Sequence, residues 1–181
     1  MEEYLQLLAT PCLNQEVQEA FILSCYTGLR WCDVKTLSWE QIRGATLVTR
    51  IIQAKTGQPV TLTLPPIARA MLEKRKKLLG LQHNENTLVF SLPSADGANK
   101  ILLQWVKAAG INKHITWSCA RLSFSILLQD KLVDDATVAY LLGHTTTDQV
   151  KKTYKRHRPK DQSAIIGNLP SPELLPYFFQ L

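Results

Sequence analysis

Apolar positions recur at helical spacing along most of the chain, and one stretch near its first third breaks the pattern. In NQEVQEAFILSCYTG, residues 14–28, Val17, Phe21, Ile22 and Cys25 fall on one face of a 3.6-residue period. Asn14 predicts the N-cap of this helix and Gly28 its stop. A short helix over residues 31–37 follows, with Val34 and Leu37 inward. Residues 45–64, ATLVTRIIQAKTGQPVTLTL, are β-branched and rich in Thr. They predict a β-hairpin turning near Thr56-Gly57-Gln58. Pro65-Pro66 opens a helix to about Leu79, because proline suits a first helical turn. TLVF, 87–90, reads as a short extended piece and SLPSADG, 91–97, as a loop. Residues 98–109 are amphipathic, with Ile101, Leu102, Trp105 and Val106 on the apolar side. Thr116 or Ser118 is expected to cap a helix that runs through Arg121 to about Gln129. Asp134 caps another that ends at Gly143, and 147–154 forms one more short helix. The expected class is mainly α with a small antiparallel β-sheet (α+β).

Composition narrows this picture. At 181 residues the chain is one domain by length, large enough to bury a core. Residues 1–168 read as the folded unit. An apolar tail at 169–181, PSPELLPYFFQL in its last twelve residues, is set apart by prolines. No apolar run approaches the roughly 18 residues of a membrane span. The start, MEEYLQ, is acidic and lacks a signal-peptide pattern. A cytoplasmic protein without a membrane partner is expected. The four cysteines, Cys12, Cys25, Cys32 and Cys119, form no CxxC pair and have no His at metal-ligand spacing. They are expected to be reduced and mostly buried, with no metal and no cofactor.

Charge points to a partner. The net charge is +6 and the pI about 9.2, which suggests a polyanion. Lys151, Lys152, Lys155, Arg156, Arg158 and Lys160 crowd one ten-residue stretch with no acid among them. Arg69, Lys74, Arg75, Lys76 and Lys77, with Glu73, read as a solvated face.

Four segments carry candidate chemistry. TGLRWCDVKTL puts Arg30 after a helix-ending glycine, at the mouth of the next helix, where an anion is welcome. QAKTGQ puts Lys55 beside a hairpin turn. WSCARLSFSILL puts Arg121 early in an apolar helix, where a lone arginine needs an anion or an acid partner. LLGHTTTDQVKKTYKRH holds His144 past a helix end and Tyr154 ten residues later, within the basic stretch. Each piece alone has an ordinary reading. Arg30 would pair with Asp33, Lys55 would solubilise a hairpin, and Arg121 would sit in a buried salt bridge. His144 would be a helix C-terminal residue, and the Tyr154 ring would be core.

Taken in order, TGLRxxDVxxL, the hairpin lysine before Thr-Gly, the arginine of a later helix, LGH, and a tyrosine ten residues on resemble the signature of the tyrosine site-specific recombinases, the phage integrase family. The resemblance spans about residues 14–158 and implies the catalytic domain of such an enzyme. It implies that Arg30 and Arg121 grip the non-bridging oxygens of a scissile phosphate. It implies Tyr154 as the nucleophile forming a 3′-phosphotyrosyl link, and Lys55 as the proton donor to the departing 5′-oxygen. His144 would bind the phosphate and assist proton transfer, and Asp33 would orient its neighbours. Lys151, Lys152, Lys155, Arg156 and Arg158 would bind double-stranded DNA. The implied function is site-specific integration or excision by a tetramer assembled on DNA, with no metal.

Two features depart from the family. Its His-x-x-Arg reads Ser118-Cys119-Ala120-Arg121 here, and a serine hydrogen-bonds a phosphate but does not shuttle a proton near neutral pH. His114 lies four residues before Ser118 and is the candidate substitute. The family's N-terminal DNA-binding domain is expected to be absent, so the domain alone should bind DNA weakly and with strong salt dependence. In the family a C-terminal segment docks on the neighbouring protomer, a use that fits Leu174, Leu175, Tyr177, Phe178 and Phe179; folding back on the chain's own core is the alternative. Three rival functions stay open: a type IB topoisomerase, an inactive DNA-binding module, and an unrelated basic helical interaction domain.

Overall fold

The computed structural model describes residues 2–52, 56–80 and 86–154, with Glu2, Thr153 and Tyr154 described through their backbone. Lys55, Lys155, Arg156, Arg158, Lys160 and the tail at 169–181 lie outside the described residues.

The fold assembles on α2, Gln15–Thr27. The Asn14 side chain accepts from the Val17 N–H at 3.0 Å, and Gly28 ends the helix in the left-handed region at φ 68°, as the sequence predicts. Val17, Ala20, Phe21, Leu23 and Cys25 of α2 are buried. Phe21 meets Trp105 of α5 (Ala95–Ala108) and Trp117 edge to face, at 6.2 and 5.7 Å between centroids. Each such pair adds about 0.5–1.5 kcal/mol beyond the area it buries. α2 packs chiefly on α6, Ser118–Asp130. A second, smaller cluster joins α6 to α7, Asp135–Leu142, through Phe124, Val138, Ala139, Leu142 and Val150.

The antiparallel sheet has the order β1 (Ile42–Arg43), β2 (Thr46–Ile52), β3 (Pro59–Thr63). Leu47 pairs with Leu62 and Val48 with Thr61, and the register shifts between Val48 and Ile52. Leu47 and Thr49 point inward from β2, as Val60 and Leu62 do from β3, which is the period-two pattern of a sheet covered on one face. Helices α3, Trp31–Lys35, and α4, Pro66–Leu79, fall where predicted, with Pro66 in the first turn of α4. Among the described residues no helix is long and apolar enough to cross a membrane.

Several expectations need correction. The start of the chain forms α1, Glu2–Ala9, whose Leu7 is buried and whose Tyr4 meets Tyr26 edge to face at 6.3 Å. β1 is too short for a periodic signal. α5 begins at Ala95, inside the predicted loop, because the Ser94 side chain accepts from the Gly97 N–H at 3.1 Å. Neither Thr116 nor Ser118 caps α6. Trp117 stands at the N-cap without a side-chain cap bond, and Ser118 is the first helical residue. Only Cys25 is buried; Cys12 and Cys119 are partly buried and Cys32 is exposed. Burial pushes the Cys25 thiol up to about 12, so it stays an inert thiol. The second basic cluster is not wholly a solvated face. Arg75 turns inward, where it bonds Glu19 at 2.9 Å and Glu16 at 2.5 Å and lies 4.7 Å from the centre of the Phe90 ring.

Gly28 sets a prediction. A Cβ there would lie 2.5 Å from Phe124 Cδ1 and 2.8 Å from Leu142 Cδ2, whereas at Gly44, also at positive φ, it would meet nothing within 4 Å. Gly44→Ala should therefore carry only the left-handed backbone cost, about 1–2 kcal/mol. Gly28→Ala should lose about 1–3 kcal/mol more from overpacking. Urea unfolding of the two variants measures the difference, and equal losses would remove the packing argument.

Candidate active site

Two helix ends and two arginines make the site. After Gly28, Leu29 is buried and Arg30 becomes the N-cap of α3. Asp33, three residues into that turn, accepts from the Arg30 backbone N–H at 3.1 Å. The same carboxylate takes Arg30 Nε at 2.9 Å and Nη2 at 3.2 Å. The ordinary reading of Arg30 is thus part of the answer: it pairs with Asp33. The pairing is local, while the Arg30 side chain stays 56% exposed against 16% for Asp33. The bond to Asp33 pushes the Arg30 pKa further up, so its charge is permanent. A guanidinium has five N–H donors. Its two side-chain bonds go to Asp33, and the carboxylate serves to aim it.

Arg121 is held differently. From the second turn of α6 its Nη1 donates to the Gly28 carbonyl at 2.6 Å, and its Nη2 donates to the Leu142 carbonyl at 2.5 Å. Those carbonyls close α2 and α7, the negative ends of two helix dipoles. The expectation of an acid partner is therefore corrected: backbone carbonyls satisfy Arg121. Dipoles stabilise the cation without cancelling it, so the site keeps its positive potential. The contact on Gly28 also fixes Arg121 two residues from Arg30 along the chain.

His144 completes the group. Its backbone N–H donates to the Ala139 carbonyl at 2.8 Å, closing α7 together with Gly143. Its Nε2 lies 2.9 Å from Arg121 Nη2. An arginine only donates, so Nε2 accepts and the neutral ring carries its proton on Nδ1. Burial first, then the charges of Arg121 and Arg30, push the His144 pKa below its ordinary value. The imidazole is neutral at physiological pH.

Of the other predicted site residues, Ser118 is exposed on the first turn of α6, with its Oγ 2.9 Å from Thr116 Oγ1. Ser118 and Arg121, three apart, share a helix face. His114, the candidate substitute for the missing histidine, is exposed. Tyr154 closes a π-helical turn, Val150–Tyr154, anchored by buried Val150, and Lys151 and Lys152 are exposed on it. Sequence reading missed Thr116 as a partner of Ser118 and the two carbonyls that hold Arg121. The glycines after α2 and α7 were the available signal for the carbonyls. Among the described residues no His, Cys, Asp or Glu group could hold a metal ion.

A family model described as the phage integrase family matches residues 1–161. The fold is similar to that of a lambda integrase dimer bound to a COC′ core site, at 24% identity and a TM-score of 0.64 over 88% of this chain. It is similar to XerA recombinase at 14% identity and a TM-score of 0.65 over 89% of this chain. The chain spans 59% and 66% of the lengths of those two proteins. It is also similar to the catalytic domain of bacteriophage HP1 integrase, at 16% identity and a TM-score of 0.62, covering 95% of this chain and 94% of that one. The comparison with curated proteins gives no match.

The neutral His144 makes a pH prediction. Its pKa is lowered on folding, so the unfolded chain binds more protons below the ordinary value of 6.5. The contribution is fully present above that pH and is lost as pH falls through the folded pKa. The melting temperature should drop as pH falls below the ordinary value of 6.5, and His144→Gln should flatten part of that drop. An unchanged slope in the variant would show that His144 is not held neutral by its surroundings.

Proposed function

The chain belongs to the phage integrase family, and from that premise we propose that it cuts and rejoins DNA as the catalytic domain of a tyrosine site-specific recombinase, serving integration or excision. The observation that carries the reading is the pairing of an aimed, exposed Arg30 with an Arg121 whose charge no carboxylate among its partners neutralises. A phosphodiester resists attack because it is anionic. Two guanidiniums offset that charge and follow it into the pentacoordinate transition state.

In the proposed reaction Tyr154 Oη attacks phosphorus as its phenolic proton passes to His144, the bond to the 5′-oxygen breaks, and Lys55 gives that oxygen its proton. The 3′-phosphotyrosyl link keeps the bond energy, so the reverse attack by a 5′-hydroxyl needs no ATP. His144, neutral and beside Arg121, is available to accept a proton once a phosphate oxygen draws Arg121 Nη2 away from Nε2. Ser118 offers a hydroxyl to the same phosphate. Asp33 acts through Arg30, which it orients. Lys151, Lys152, Lys155, Arg156 and Arg158 hold the flanking DNA backbone. Residues 1–168 form the catalytic unit, and the apolar tail at 169–181 docks on a neighbouring protomer of a tetramer on DNA. The working compartment is the cytoplasm.

Covalent trapping tests this. With nicked suicide duplexes carrying candidate attachment sites, the protein should form a denaturation-resistant adduct, and Tyr154→Phe should form none. DNA binding without an adduct would point instead to an inactive DNA-binding module, and relaxation of supercoils without site preference to a topoisomerase.

A further inference from the structure

The turn that launches α6 carries a second hydroxyl. Thr116 Oγ1 lies 2.9 Å from Ser118 Oγ and 3.9 Å from Cys119 Sγ. The turn itself is pinned at several points. Thr116 N–H donates to Cys119 Sγ at 3.5 Å, Cys119 N–H donates to the Thr116 carbonyl at 2.9 Å, and Trp117 N–H donates to Asn99 Oδ1 at 2.9 Å. Buried Trp117, packed on Phe21, anchors the segment between the two hydroxyls. Thr116 is therefore partly buried and held by its backbone bonds, while Ser118 beside it is exposed.

We propose that Thr116 is a positioning residue for strand cleavage: its O–H donates to Ser118 Oγ and leaves the Ser118 O–H to point at a non-bridging oxygen of the scissile phosphate. The inference rests on the recombinase reading above. Either oxygen of the pair is able to donate, and a bound phosphate decides which one does. If Ser118 donated to Thr116, its only hydrogen would be used and its lone pairs would face an anion. With Thr116 donating, the two hydroxyls run in one direction and each polarises the next. Cys119 S–H, a weak donor, is placed to feed the start of that chain. A serine in the histidine position is thereby given a fixed direction that a lone exposed serine lacks.

The test is the rate of covalent adduct formation on a nicked attachment-site duplex by the full chain. Thr116→Val should slow the wild-type rate about tenfold, the effect of one lost hydrogen bond, and Thr116→Ser should restore it. In a Ser118→Ala background, Thr116→Val should change nothing further, because its action passes through Ser118. If Thr116→Val does not fold, Thr116→Ala makes the same comparison. A wild-type rate in the Thr116 variant, or the same slowing with and without Ser118, overturns the proposal and leaves the recombinase reading intact. A wild-type protein that forms no adduct on the site it binds overturns that reading and this proposal together.

Discussion

Arg121 sits where two helices end. Its guanidinium bridges the Gly28 carbonyl that closes α2 and the Leu142 carbonyl that closes α7, and on the same side it meets His144 Nε2. One cation thus ties α6 to both neighbours and fixes the loops that follow them, one bearing Arg30 and the other His144. Gly28 fits beneath this bridge because it has no side chain; a Cβ would press into Phe124 and Leu142, two members of the α6–α7 cluster. Packing and charge placement are therefore one constraint. The close approach that lets Arg121 reach both carbonyls is the same approach that a larger residue at position 28 would prevent.

The two arginines meet opposite requirements by different means. Arg30 is exposed, and without a guide its long side chain would lose entropy on binding; Asp33 supplies the guide at the cost of some charge. Arg121 is partly buried, where a carboxylate would have been the ordinary partner and would have cancelled the field. Carbonyl dipoles stabilise it instead and leave the net charge in place. Burial first, and then the same two charges, push the His144 pKa below its ordinary value, so the site combines fixed cations with an imidazole able to take a proton.

Much of this was legible in the sequence. The α2 face, the Asn14 cap, the Gly28 and Gly143 stops, and the Pro66 start were read correctly because each depends on local chemistry. Arg30, Arg121 and His144 were named from motif order, and the structure brings them together. What was not legible is non-local. Nothing in the string tells that Arg121 reaches carbonyls 93 and 21 residues away rather than a carboxylate. Nor does it tell that Arg75, inside a basic run, crosses to Glu16 and Glu19. The α1 stripe of Tyr4, Leu7 and Leu8 was present, but too short to stand out; packing makes it a helix. Ser118 reads as a loss of histidine, and only the folded turn reveals Thr116 beside it.

The measurement that bears most directly on this account is a crystal structure of the protein on a duplex with an intact scissile phosphate. Arg121 should keep Nη1 on the Gly28 carbonyl while Nη2 turns to a non-bridging oxygen, and Arg30, still on Asp33, should hold the other. A complex in which Arg121 retains its Leu142 and His144 contacts, with the phosphate bound elsewhere, would contradict the claim that carbonyl-held charge is what grips the DNA.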